Sequence, residues 1–425
     1  MKKAFKVLFI GIICLLLVTG LTTLFISYFY SDTLRQELIR EFEAQTDKKY
    51  SISISNIDLG FFSRSITIDS VRVEPKVNSK LKIISAASVS VNGIRWVSWW
   101  TQPLPDFTQV EVIRPIIEII IPQNYTLTTT QYSDGTIQTE ALDSLANFNF
   151  TLKNGRGVVL EQGSKRELVS IDDISLQATQ VNLQQLLSQS GILFLKGLSV
   201  DASGLKWPLH DKFYEVNVGS FNFNKISESV TISDLYFTPT LPKYEFSKER
   251  GHQLDRIHLE IPEIQLRGFN LTSLTEQQFS LDTLRMENAW MEVFRNKQIP
   301  RRENESVKPL LYEIATGTDV SFELETAQIR NSTIIYEEQK PPSDSAGSIS
   351  FNELYATLHY FRTATHPKFK ETVLTMDVES MFMNVAPLAL QVSYPLNNPK
   401  NNHTLKAKLE SIDPQEVAGM LRNVG

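Results

Sequence analysis

Residues that could catalyse a reaction or bind a metal ion are scattered along this chain. The six histidines show no H-E-x-x-H motif or other spacing typical of a zinc site. They are His210, His252, His258, His359, His366 and His403. The segment from Gly157 to Lys165 superficially resembles a phosphate-binding loop, but five residues separate its glycines where that loop has four. Adjacent Asp172 and Asp173 would point to opposite faces of a strand. We therefore expect no enzymatic activity, no cofactor and no metal site.

The composition is that of a folded protein that depends neither on disulfide bonds nor on nucleic acid. The 425 residues are 42% hydrophobic and 21% charged, with a net charge of −6, which excludes wholesale disorder. The single cysteine, Cys14, excludes a disulfide framework and a Cys-rich zinc module. The mildly acidic balance argues against a nucleic-acid binder, because such proteins neutralise phosphates with an excess of Lys and Arg.

The first element that would position this chain is a transmembrane anchor at residues 1–30. The 24 residues from Val7 to Tyr30 carry no charge and follow three lysines. At about 1.5 Å per residue they would form roughly 36 Å of helix, enough to cross a hydrocarbon core of about 30 Å. A cleaved signal peptide would have a shorter apolar core, and a lipoprotein would need a small residue where Ile13 precedes Cys14. We predict a retained single-pass anchor with its N-terminus in the cytoplasm, because the three lysines precede the span.

Residues 31–48 have the pattern of a short amphipathic helix. Leu34, Leu38, Ile39 and Phe42 share one helical face, and most charged residues lie on the other. Such a helix could lie on the membrane or cap the first sheet, and we favour the cap.

Downstream of Tyr50 the apolar residues repeat a short formula, φ-x-φ-x-x-φ-x-φ, in which φ is an apolar residue and x is any residue. The two adjacent x residues in the middle are called the two-residue step. Ile66, Ile68, Val71 and Val73 form one of a dozen copies. A helix cannot place four such positions on one face, whereas a strand can if the step is a β-bulge or kink. The pattern predicts a mostly β protein with few short helices, one of them at 412–423. Its antiparallel sheet would be elongated, twisted and curled into a groove.

The formula is itself duplicated. Residues 50–75 and 214–239 align without a gap at an offset of 164, and six of the 26 pairs are identical. We interpret this as an internal duplication, which favours a sheet that grows by stacking similar units. The predicted β-blocks are 49–207, 208–300 and 301–425.

Two shorter motifs predict local features. Asn154-Gly155 lies between two apolar runs and predicts a β-hairpin. Trp96, Trp99 and Trp100 follow the third strand unit. Tryptophans prefer membrane headgroup regions, but we favour a connection that plugs one end of the sheet.

The N-terminal arrangement resembles the AsmA-like family. The resemblance lies in the span and the amphipathic helix, in the segments 50–59 and 65–73, and in the later segment 110–120, where Pro115 opens a strand. It implies a long twisted β-sheet curled into a groove, standing in the periplasm from an inner-membrane anchor. It also implies a part in moving phospholipids toward the outer membrane. Well-known members are longer than this chain.

An apolar groove of this kind would suit lipid, because each buried methylene contributes about 0.8 kcal/mol. We therefore expect a phospholipid or another acyl lipid as the ligand, together with envelope proteins as possible partners, and no nucleic acid. The alternative is a non-catalytic envelope scaffold or assembly factor with a closed, dry β core. The predicted groove-lining residues are Ile52, Ile54, Ile66, Ile68, Val71, Val73, Val89, Val91, Val216, Val218, Val230, Ile232, Leu235, Phe237, Ile264 and Leu266.

Overall fold

A computed structural model shows a mostly β protein, with 61% of residues in strands and 11% in helices. Its residues cluster into two compact units, unit 1 (1–167 and 172–196) and unit 2 (168–171 and 197–425). The predicted blocks 208–300 and 301–425 therefore lie in one unit. The structure describes residues 30–44, 46, 48–76, 81–97, 106–121, 147–182, 195–209, 212–270, 278–302, 309–341 and 345–418.

Unit 1 is a sheet in which the first strand is broken in two. β1 and β2 pair with one edge of β3, and β4 pairs with the other edge. β5 and β6 follow each other along the free edge of β4, and β7 pairs with both. The strands are β1 (Tyr50–Ser53), β2 (Asn56–Gly60), β3 (Ser65–Pro75), β4 (Leu81–Asn92), β5 (Gln109–Ile113), β6 (Ile116–Ile121) and β7 (Phe148–Glu161); β8 (Glu167–Val181) contributes to both units.

Unit 2 repeats this plan and extends it. The sheet order begins with β9, β10, β11 and β12. β13 and β14 follow each other along the free edge of β12, and both pair with β15, which is followed by β16, β17, β18 and β19. The strands are β9 (Gly197–Pro208), β10 (Tyr214–Asn224), β11 (Ser229–Pro239), β12 (Asp255–Arg267), β13 (Gln278–Glu287), β14 (Trp290–Asn296), β15 (Ser321–Gln339), β16 (Gly347–Arg362), β17 (Val373–Phe382), β18 (Ala386–Pro395) and β19 (Thr404–Leu409).

The duplicated segments have the same strand register. Ile57 pairs with Ile68 in unit 1, and the residues 164 positions later, Phe221 and Ile232, pair with each other in unit 2. The serine pair that follows the hairpin turn is also repeated, since the Oγ–Oγ distance is 2.7 Å for Ser63–Ser65 and for Ser227–Ser229. The likeness therefore extends from sequence to pairing and turn geometry.

The two-residue step of the formula is a kink shared by neighbouring strands. Ser70 and Asp234 lie at this step and have positive φ angles of 51° and 54°. Gly219 lies opposite Asp234, and a Cβ on this glycine would be only 2.8 Å from the Asp234 Cβ. The register is the same on both sides of the kink in β3–β4 and in β10–β11. Because both strands bend together, the apolar residues on either side remain on one face.

The sheets are mixed, and the antiparallel arrangement that we predicted is wrong for the pairings of one strand in each unit. β7 runs parallel to β5 and β6, and β15 runs parallel to β13 and β14. Parallel neighbours need a crossover connection of a dozen or more residues. The segments between β6 and β7 and between β14 and β15 are long enough for this.

The hairpin predicted at Asn154-Gly155 is also wrong. β7 continues through both residues, with Asn154 at a φ of 52°. The strand pairs with β5 before this point and with β6 after it. A side chain on Gly155 would approach the carbonyl oxygen of Ile174 to 3.2 Å. The Asn-Gly pair therefore forms a kink within the strand. Such a kink requires a residue with positive φ, as a hairpin turn does.

Three α-helices of six or more residues lie among the described residues, α1 (30–44), α2 (Lys243–Arg250) and α3 (Leu311–Thr316), and a 3₁₀ helix spans Phe369–Glu371. None of them is both long and apolar enough to cross a membrane. The predicted anchor falls almost wholly on residues 1–29, outside the described residues. Of the predicted helix 412–423, residues 414–417 form a turn, Ala418 is helical, and 419–423 are likewise outside the described part.

Candidate functional site

Cross-strand pairing in unit 2 aligns apolar side chains in a row that crosses ten strands. Directly paired residues lie on the same face of a sheet, so this row marks one continuous apolar face. At about 4.8 Å per strand the row would extend roughly 43 Å along the sheet. We call it the central row, and it consists of Ala202, Phe221, Ile232, Ile264, Met286, Ile329, Ala356, Val378, Leu390 and Ala407.

No member of the central row is buried. Ala407 is exposed, and the other nine residues are half-buried. A sheet that packed this face against a second layer would bury these side chains, because the cores of layered β proteins are close-packed. The apolar face of unit 2 is thus partly open to solvent along the whole central row.

The opposite face of the same strands is polar. Thr231 pairs with Gln265, which pairs with Arg285, and Arg285 pairs with Gln328. A cavity of about 420 Å³ opens beside Thr231 and Gln265, and five of its seven lining residues are Ser, Thr, Gln or Arg. Most side chains that line this cavity carry hydrogen-bonding groups, so we do not associate it with acyl chains.

The helices of unit 2 leave most of the apolar face uncovered. In α2, Lys243 Nζ lies 2.9 Å from a Glu292 carboxylate oxygen, and the Tyr244 ring packs edge-on against Phe294. Glu292 and Phe294 alternate along β14 with Met291 and Val293, which belong to the apolar face. Alternate residues of a strand point to opposite faces, so Lys243 and Tyr244 contact the polar face. Phe246 of the same helix packs edge-on against Tyr214 at the end of β10, and the Tyr214 ring stacks on Phe237 of the apolar face.

Helix α3 covers only one corner of the apolar face. Its residues Leu311 and Ala315 pack in a cluster with Leu374, Tyr394 and Leu396, near the ends of β17 and β18. Leu374 and Leu396 are 1% and 0% exposed. This corner has the burial of a closed core, in contrast to the half-buried central row.

In unit 1, helix α1 covers the first strands. Leu34 and Ile39 pack on a buried cluster of Ile54, Ile57 and Leu59, whereas Leu38 is exposed. The helix is therefore a cap on the sheet, as the sequence favoured. Four predicted groove residues, Ile52, Ile54, Ile66 and Ile68, belong to this helix-covered cluster.

The structure brings the predicted groove residues together in cross-strand rows. Val71 and Val73 pair with the β4 residues Ala86 and Ile84, and Ile66 and Ile68 pair with Val91 and Val89. The unit 2 candidates form similar pairs: Val216–Phe237, Val218–Leu235, Val230–Leu266 and Ile232–Ile264. Ile54, Val218 and Val230 are buried, and the other candidates are half-buried.

Sequence reasoning missed Val378 and Leu390, which extend the central row into β17 and β18. These strands lack the kinked formula, and their signal is plain alternation, as in Leu374, Met376 and Val378. A search for period-two runs beyond the formula would have found them.

The apolar face ends in an ionic cluster around Glu338 on β15. This carboxylate is 5% exposed and lies 2.6 Å from Lys297 Nζ, 3.8 Å from Lys340 Nζ and 2.9 Å from the Tyr336 hydroxyl. Burial, together with the nearby Glu338 charge, raises the pKa of Tyr336 to about 12, so its hydroxyl remains a donor. Burial also opposes ionisation of Glu338, but the Lys297 and Tyr336 hydrogen bonds and the lysine charges outweigh it and lower its pKa.

We expect Glu338→Gln to lower the free energy of unfolding at pH 7 by about 1–3 kcal/mol, because two charge-assisted hydrogen bonds are weakened. The folded-state pKa of Glu338 is lowered, so its contribution is complete above the unfolded value near 4.5 and is lost as the pH falls through the lower folded value. Denaturant unfolding at several pH values should therefore show wild type and variant converging in acid. Exposed Glu325→Gln on the same strand is the control, and an equal change in that variant would contradict the assignment.

The described residues contain no group of three or more His, Cys, Asp or Glu side chains that could hold a metal ion. The chain matches no protein-family model, and it matches none of the curated proteins. The resemblance to the AsmA-like family stays a prediction.

Proposed function

We propose that this chain is a membrane-anchored lipid-binding or lipid-transfer protein, which shields acyl chains on the apolar face of its β-sheet. The observation that carries the proposal is the central row, ten apolar residues on neighbouring strands of which none is buried. An acyl chain of about fourteen methylenes laid on such a face would gain on the order of 10 kcal/mol before binding costs. No catalytic residue is needed for this activity.

The proposed location is the periplasm, with residues 7–30 in the inner membrane and the N-terminus in the cytoplasm. The uncharged 24-residue segment and the lysines before it support this location. The AsmA-like resemblance supports a role in envelope lipid homeostasis and outer-membrane biogenesis. In unit 1 the helix α1 covers Ile52, Ile54, Ile66 and Ile68, and in unit 2 Val218 and Val230 are buried, so we assign lipid contact to the remaining, half-buried candidates.

A second candidate function is that of an envelope scaffold with a dry core. The buried cluster under α1 favours it for unit 1, since Ile57 is only 3% exposed. The two functions differ in what the isolated protein carries. A scaffold needs no ligand on the central row, whereas a lipid carrier should retain one.

The proposal is tested by purifying residues 31–425 without detergent from a lysate that contains membranes. Native mass spectrometry should show protein bound to phospholipid, and solvent extraction should release the same lipid. Apo protein alone, from a preparation with intact membranes and a folded circular dichroism spectrum, would favour the scaffold.

A further inference from the structure

One end of unit 1 exposes apolar side chains that are held in a fixed arrangement. Phe62 and Val97 are 82% and 80% exposed, the highest values among large hydrophobic residues in the part of the chain that the structure describes. Behind them the indole N–H of Trp96 donates to the Phe61 carbonyl oxygen at 3.1 Å, and the two rings lie 4.9 Å apart. We call Phe61, Phe62, Trp96 and Val97 the β2–β3 tip.

The tip is tied to the sheet on both sides. The Arg64 guanidinium donates to the carbonyl oxygen of Ile94 at 3.1 Å, and the Ile94 amide donates back to the Arg64 carbonyl oxygen at 2.9 Å. Ile94 itself is 0% exposed. These contacts therefore hold Phe62 and Val97 in solvent. Exposed apolar surface is unfavourable there unless a partner covers it.

Helix α1 fixes which end of unit 1 adjoins the preceding chain. Its C-terminal Glu43 pairs with Lys76 at 2.8 Å, beside the start of β1. Near its first turn, Arg35 donates to the Ser55 carbonyl oxygen at 3.1 Å, midway along β1 and β2. The helix is thus antiparallel to these strands, and Tyr30 lies on the side of Ser55 that faces the β2–β3 tip.

The segment that precedes Tyr30 contains the uncharged residues 7–29, and three lysines lie before these residues. If that segment spans a bilayer, the bilayer surface lies at the end of unit 1 that carries the tip. Exposed aromatic and aliphatic side chains beside a span favour the interface between headgroups and acyl chains. Arg64 is also exposed there and is suited to anionic headgroups.

We propose that the β2–β3 tip inserts Phe62 and Val97 into the surface of the bilayer that holds the anchor, and so fixes the orientation of unit 1 on that membrane. The proposal rests on the anchor that is part of the proposed function, but it does not require lipid carriage on the central row. The committed partner is a phospholipid surface, and a protein partner at the tip is an outcome of the test.

The duplication supplies a matched control. Ile226 occupies the same turn position as Phe62 at the offset of 164, and it is 78% exposed in unit 2. The experiment uses the full chain with Cys14→Ser and either Phe62→Cys or Ile226→Cys, each labelled with an environment-sensitive fluorophore. Both proteins are reconstituted in vesicles of phosphatidylethanolamine and phosphatidylglycerol, with or without a doxyl-labelled phospholipid that quenches near the headgroup.

We expect the probe at position 62 to be quenched several-fold more than the probe at position 226. Equal quenching at both positions, or none at position 62, would overturn the proposal. Because a fluorophore is itself apolar, a second variant carries the probe at Val97→Cys together with Phe62→Asp. Quenching of this probe should be about tenfold lower than in a Val97→Cys variant that keeps Phe62, since burial of a Phe side chain changes partitioning into the bilayer by at least that factor.

Failure of this proposal and failure of the proposed function give different results. Flotation of the unlabelled chain with vesicles shows whether the anchor holds the protein on the membrane. The phospholipid content of the purified protein shows whether it carries lipid. Phe62→Asp should change neither. Loss of bound lipid in Phe62→Asp with unchanged quenching at position 97 would overturn the tip as a membrane contact.

Discussion

Replacing Ile232 with Asp is expected to strip bound lipid from the protein while the fold survives. Ile232 lies in the central row on β11, paired with Phe221 on one side and Ile264 on the other, and it is half-buried. A carboxylate at this position would face the acyl chains, where an ion without a partner costs several kcal/mol or more. In the free protein the same carboxylate can be hydrated, because the row is partly open to solvent. We expect at least a tenfold loss of co-purified phospholipid, measured by native mass spectrometry.

Thr231→Asp is the matched control for this change. Thr231 is the neighbouring residue on the same strand, is also half-buried, and points to the polar face beside Gln265. The same charge introduced there should leave the lipid content unchanged. Circular dichroism and denaturant unfolding of both variants establish that the strand is intact.

Two results would argue against an open apolar face. If Ile232→Asp unfolds the protein while Thr231→Asp does not, the central row is part of a closed core, and the scaffold function gains support. If Ile232→Asp folds and still carries phospholipid in wild-type amount, the lipid binds elsewhere on the chain.

Phe246→Ala is expected to lower the free energy of unfolding of unit 2 by about 3–5 kcal/mol, the usual cost of removing a fully buried aromatic ring. Phe246 on α2 is 0% exposed, and its ring packs edge-on against Phe213 and Tyr214 at 5.4 and 5.3 Å. The Tyr214 hydroxyl in turn accepts a hydrogen bond from the Ile257 amide at 3.1 Å. Loss of the Phe246 ring would leave a cavity between the helix and strands β10 and β12.

Lys248→Ala on the same helix is the control, because Lys248 is exposed and its removal should change the free energy by less than about 0.5 kcal/mol. Urea unfolding followed by circular dichroism measures both variants. A change below about 1 kcal/mol for Phe246→Ala would mean that α2 is not integral to the unit.

The strand content was predictable because the apolar formula leaves no helical alternative. Ile66, Ile68, Val71 and Val73 point in unrelated directions on a helix, so the sequence pattern alone required a strand with a kink. The kink position was equally local, since Ser70 and Asp234 fall at the two-residue step. The shared register of the duplicated segments follows from the same spacing.

The pairing partners were not predictable in the same way. Whether β15 runs parallel or antiparallel to β13 depends on the route of the connection between β14 and β15, which the alternation of Phe322 and Leu324 does not encode. Asn154-Gly155 shows the same limit, because a residue with positive φ suits a hairpin turn and a strand kink alike.

The sequence by itself determined that one side of the strands that carry the formula is apolar, that these strands bend at its two-residue step, and that the plan occurs twice. Only the tertiary structure decided what lies against the apolar side, because burial depends on elements distant in the chain. Helix α1 covers Ile54 and Ile57 in unit 1, whereas Ile232 in unit 2 is half-buried. A periodic pattern records which side chains share a face, and it carries no information about whether a helix, a second sheet or a ligand completes that face.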